Sequence, residues 1–119
     1  MGAATIDEDR PITEREAELV RWLLVNAPTA FVPSALEEGV AGLRVVGRCS
    51  CGCASVDFEK QGQSGINHPI ADAIAKTAEG LCGLILWGRE DAVTGLEIYE
   101  IEAGSADSLP PPDTLLKYG

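Results

Sequence analysis

The sequence predicts a two-layer α+β domain, an N-terminal helix packed on an antiparallel meander of four to five strands. Three observations carry this. Residues 12–27 repeat apolar side chains with the 3.6-residue period of a helix. Residues 43–102 break into short β-branched or alternating runs separated by glycine, asparagine and acidic turns. The chain has 119 residues, 45% apolar and 24% charged, the size and balance of one globular domain with its own core.

Residues 1–10 read as a flexible acidic leader carrying Asp7, Glu8 and Asp9. The domain itself spans 11–103, and 104–119 form a proline-rich tail with a short terminal turn. The helix opens at Thr13, with Glu16 three residues on completing a capping box. Ile12, just before the cap, can staple onto Ala17. Glu14, Glu16 and Glu18 sit near the positive end of the helix dipole. The apolar face runs Ala17, Val20, Leu23, Leu24, Ala27, and Pro28 ends the helix near Asn26 because the residue before proline avoids the α region. Ser34 to Gly39 reads as one helical turn with a second capping box, Ser34 and Glu37.

The first strand is predicted over Leu43–Cys49 and the second over Ala54–Lys60, where Ala54, Val56 and Phe58 alternate with Ser55, Asp57 and Glu59. They pair as a hairpin through the cysteine segment. Residues 61–68 read as an exposed loop. Pro69–Thr77 suits a short helix or an edge strand, and its sheet-like neighbours favour the strand. Leu81–Trp87 is nearly all apolar, the pattern of a central strand buried on both faces. Val93–Glu102 returns with Leu96, Ile98, Tyr99 and Ile101. Gly104–Pro112 is irregular, and Asp113 is placed to cap a last turn carrying Leu115, Leu116 and Tyr118.

Three of the four cysteines fall in Cys49-Ser50-Cys51-Gly52-Cys53, and the fourth is Cys82. Along a strand, Cys49, Cys51 and Cys53 would share a face at about 6.6–7 Å spacing, too wide for one metal ion. Gly52 argues for a turn, which brings Cys49 and Cys53 together across the hairpin. Three readings follow. Small reduced cysteines pack around a tight corner between strands, as free cysteine does in cores. Alternatively, Cys49, Cys51, Cys53 and Cys82 hold zinc, although the spacing is not that of a zinc ribbon or finger. Thirdly, they form a redox switch with Arg48 favouring a thiolate, although the thioredoxin-type C-x-x-C is missing. His68 is a substitute ligand or a base for Cys49 or Cys53, on a polar loop.

No G-x-S-x-G, Walker A, H-E-x-x-H or G-x-G-x-x-G is present. No catalytic residue is assigned, no cofactor other than zinc is implied, and a non-enzymatic protein is expected. The net charge is −10, from nineteen acids and nine bases. Such a surface repels nucleic acid and anionic lipid and favours a basic protein partner. Glu14, Glu18, Asp57 and Glu59 are candidate docking acids. Trp22 is a candidate anchor, with Trp87 and Tyr99 behind it, since aromatic residues dominate interface hot spots. Trp87 otherwise belongs to the core. The longest apolar run is far short of the roughly twenty residues of a membrane span, and the N-terminus has no apolar signal segment. A cytoplasmic protein with reduced thiols is expected.

The chain resembles a group of small uncharacterised bacterial proteins. The resemblance rests on Arg10-Pro11-Ile12-Thr13 with Glu16, on Gly47-Arg48 leading into Cys49–Cys53, and on Leu86-Trp87 followed by Thr94–Tyr99. It implies a compact bacterial domain and assigns no activity. In charge and size alone the chain is also similar to immunity proteins, which implies an acidic inhibitor or antitoxin that docks a basic toxin. The two functional expectations are therefore a protein-binding domain of this type and a thiol-based zinc or redox protein.

Overall fold

The computed structural model describes residues 5–29, 31–60, 66–102 and 106–117. It is α+β, with one long helix and a single seven-stranded antiparallel sheet. Two more strands than expected come from the ends of the described chain.

The helix α1 (Glu14–Asn26) starts as its sequence dictates. The Thr13 hydroxyl accepts the Glu16 N–H at 3.1 Å, and the Glu16 carboxylate accepts the Thr13 N–H at 2.9 Å. The same carboxylate takes both guanidinium nitrogens of Arg10, at 3.0 and 2.9 Å. Glu16 is only 4% exposed. Burial alone would raise its pKa. The hydrogen bonds from Arg10 and Thr13 outweigh burial and hold the carboxyl below its ordinary value. The predicted apolar face is buried, together with Leu19, which the periodicity left out. Fully burying side chains such as Leu19, Val20 and Leu23 contributes about 1.5–3 kcal/mol each. Tertiary packing, more than propensity, therefore holds the helix.

After α1 the chain adds to the sheet. Pro28 bridges Ala71, and the Thr29 N–H reaches the Ile70 carbonyl. A short helix α2 (Ser34–Glu38) follows, with Pro33 at its cap. Pro33 provides no side-chain cap bond, so the expected Ser34–Glu37 box does not form.

The strands are β1 (Thr5–Pro11), β2 (Arg44–Cys49), β3 (Val56–Asp57), β4 (His68–Thr77), β5 (Gly80–Arg89), β6 (Ala92–Glu102) and β7 (Leu115–Lys117). Their order across the sheet is β1-β2-β3-β6-β5-β4-β7. Residues 69–77 are thus strand. The expected four- to five-stranded meander is only partly formed: β4-β5-β6 run in sequence, while the strand expected over Ala54–Lys60 is reduced to β3, which lies against β6 and not β4. Residues 5–10, the described part of the 1–10 segment read above as a flexible leader, pair along β2 instead as most of β1. Their acids find cross-strand partners: Glu8 meets Arg48 at 2.7 Å and Asp9 meets Arg44 at 2.7 Å. In the tail, the last turn is a 3₁₀ turn over Pro112–Thr114 with Pro111 at its cap, so Asp113 is not the capping residue. Leu115–Lys117 then lie on the outer edge of β4 as β7. Tyr118 and the loop residues 61–65 lie outside the described residues. No helix among the described residues is long and apolar enough to cross a membrane.

One sheet face lies under α1 and carries the core: Val56, Ala71, Ala73, Ala75, Leu84, Leu86, Leu96 and Ile98. The other face is open. β5 is accordingly not buried on both faces; Leu84 and Leu86 are core, while Ile85 and Trp87 on the open face are half-buried. Gly83 lies on this face opposite Tyr99 in the register, and its missing side chain leaves room for the Tyr99 ring. A Cβ at 83 would collide with that ring. Gly83→Val is therefore expected to lower stability by about 1–3 kcal/mol, measured by urea unfolding; an unchanged midpoint would contradict this packing.

Candidate functional site: a thiol cluster at the rim of an acidic cavity

β2 ends at Cys49, and the chain turns at once. The Gly52 N–H donates to the Cys49 carbonyl and the Cys49 N–H to the Ser55 carbonyl, each at 3.4 Å. Gly52 adopts φ +92°, a left-handed conformation that glycine reaches without steric penalty. The loop is tied down further on, where the Ala54 N–H meets the Ala106 carbonyl at 2.7 Å.

This turn abolishes the strand spacing that would have kept the thiols apart. The sulfurs of Cys49, Cys51 and Cys53 all lie within 4.8 Å of one another. Two tetrahedral thiolates bound at about 2.3 Å stand about 3.8 Å apart, so little further closure is needed to share an ion. The backbone supports sulfur charge. The Cys51 N–H points at the Cys49 Sγ and the Cys53 N–H at the Cys51 Sγ, each at 3.4 Å. Proton sharing between the thiols separates them. The hydrogen bond with Cys51 pushes the Cys49 thiol up to about 11. The bond from Cys49, with the Cys53 backbone, lowers Cys51. Cys51 is exposed and is the first of the two to ionise.

Cys82 is not brought to this group. It sits on β5 in the core, 3% exposed, and burial pushes its thiol up. His68 is exposed at the start of β4, opposite Gly88, and is also outside the cluster.

The thiols line a cavity of about 610 Å³ on the open face. Its floor includes one cross-strand row, Asp57 opposite Gly95 and Gly95 opposite Trp87. A glycine between two larger side chains hollows the sheet surface. A Cβ on Gly95 would stand 3.5 Å from Asp57 Oδ1 and 3.8 Å from the Trp87 Cβ. The Trp87 indole N–H donates to Glu97 Oε1 at 2.9 Å, which orients the ring as a wall. Burial raises the Asp57 carboxyl. Glu59 is held by Arg89 through two 2.8 Å bonds, and this pairing lowers its pKa. The charged side chains lining the cavity among the described residues are all acidic.

Sequence reasoning placed Trp87 in the core and missed its partnership with Glu97. The alternation Leu84, Leu86 against Ile85, Trp87 held the missing signal. Of the candidate docking residues, Trp22 packs half-buried against the core. Glu14 and Glu18 are exposed on α1, where Glu18 pairs with Arg15. Asp57 and Glu59 line the cavity on the open face, across the sheet from α1.

Comparison with protein-family models, with curated proteins and with solved structures finds no match to this chain. The reading of the site therefore rests on its residues.

Proposed function

We propose that this is a thiolate metal-binding protein whose site is Cys49, Cys51 and Cys53 and whose ion is zinc. The observation that carries the reading is the mutual approach of three sulfurs within 4.8 Å at a single turn. Thiolate ligands favour soft and borderline ions, and zinc needs neither redox chemistry nor a rigid ligand geometry. Binding displaces the thiol protons, so zinc affinity rises with pH. Docking of a basic partner, in the manner of an immunity or antitoxin protein, rests on net charge alone. Its candidate acids lie on opposite sides of the sheet, so the thiol site carries the proposal.

Titrating the reduced chain with zinc against a chromophoric chelator is expected to show one ion per chain. Zinc at a hundredfold excess over its dissociation constant should stabilise the fold by about 2.7 kcal/mol. A chain that does not compete with the chelator overturns the reading, as does a triple Cys→Ser variant at 49, 51 and 53 that binds as tightly as the parent.

A further inference from the structure

Three thiolates leave a zinc ion one ligand short of its usual four. Among the described residues, no fourth histidine, cysteine or carboxylate joins the sulfur group. All three cysteines nevertheless line the cavity, so a ligand held in it stands beside any ion they bind. The cavity's own chemistry defines what can enter. Three thiolates and Zn²⁺ sum to −1, and Asp57 and Glu97 add negative charge beside them, whereas Glu59 is neutralised by Arg89. A ligand of net negative charge is repelled, whereas a thiolate whose own cationic group cancels its charge is not. Trp87 offers an aromatic face, the surface on which organic cations rest.

We propose, resting on the metal reading above, that the cavity delivers the fourth ligand as a small thiol bearing a cationic group. The thiol loses its proton to solvent, and its sulfur–metal bond replaces a metal–water bond. The cationic end lies against Trp87, between Asp57 and Glu97. Gly95 keeps that space open.

The test uses the full chain loaded with cobalt(II), whose thiolate charge-transfer band reports the cysteines and whose d–d bands report the fourth ligand. Two probes carry the same donor and opposite charge: thiocholine, whose quaternary nitrogen cannot chelate, and mercaptoacetate. Thiocholine is expected to shift the d–d bands with an apparent affinity at least about tenfold above that of mercaptoacetate. Asp57→Asn and Gly95→Leu should each remove that preference while the charge-transfer band persists. Bands that do not move, equal response to both thiols, or cobalt stripped from the chain would overturn the proposal and leave the three-thiolate site standing. A chain that develops no charge-transfer band overturns both.

Discussion

Glu16→Ala is expected to lower the unfolding free energy by about 2–4 kcal/mol, a large effect for one residue near the start of a helix. Glu16 is 4% exposed and its carboxylate serves three donors at once: two on Arg10 and the Thr13 N–H. Removing it strips half of the capping box, unties β1 from α1 and leaves the guanidinium unpaired. Arg10 is 35% exposed, so water screens its end of the pair and holds the cost below that of a fully buried one. Glu16→Gln keeps an acceptor for Thr13 and should cost less. The pH dependence follows from the lowered carboxyl. Its folded pKa lies below its unfolded value of about 4.3. The stability it supplies is thus fully present above that value and is lost as pH falls through the folded pKa. Urea midpoints measured between pH 6 and 2 should fall more steeply for the parent than for Glu16→Gln. Equal slopes, or an alanine variant within about 0.5 kcal/mol of the parent, the range of an ordinary surface substitution, would show that the pair does not hold the fold.

Cys51→Ser and Cys82→Ser should separate metal binding from stability. Cys51 bridges its neighbours by hydrogen bonds and is exposed at the turn. Replacing it should weaken zinc binding on the order of 100-fold or more, since loss of an outer-shell partner alone costs 10–100-fold. The fold should barely respond. Cys82 is core, and a serine hydroxyl there meets apolar neighbours such as Leu84. That variant should lose about 1–3 kcal/mol and keep the parent's zinc affinity. Chelator competition and urea unfolding on both variants check the contrast. A Cys82 variant that loses zinc would place the fourth thiol at the site.

What was legible in the sequence was local. Thr13 and Glu16 mark the helix start within four residues, and the β5 and β6 runs announce themselves by their apolar content. β1 was illegible because its information is non-local. Glu8 and Asp9 read as solvated leader until Arg48 and Arg44 are known to reach them from β2. β7 is only three residues long and owes its conformation to the edge of β4. The thiol cluster was half legible. Gly52 signalled the turn, but strand spacing cannot say that the intervening Cys51 would fold back onto the same point. The cavity was invisible, because it arises where Asp57, Gly95 and Trp87 from three strands fall into one row.

β3 pairs with β2 and with β6 through only two residues, Val56 and Asp57. β1 and β7 occupy the two outer edges of the sheet. Within the sheet, tension applied between those edge strands passes through this narrow rung, and α1 offers a second path through Arg10–Glu16 and the Pro28–Ala71 bridge. The Thr94–Phe58 backbone bond and the Ser55 hydroxyl on Ile98 reinforce the rung. The sheet is mechanically two plates with one short zip between them, and the thiol loop hangs at the end of that zip. An ion gripped there would fasten the loop leading into β3 to the end of β2.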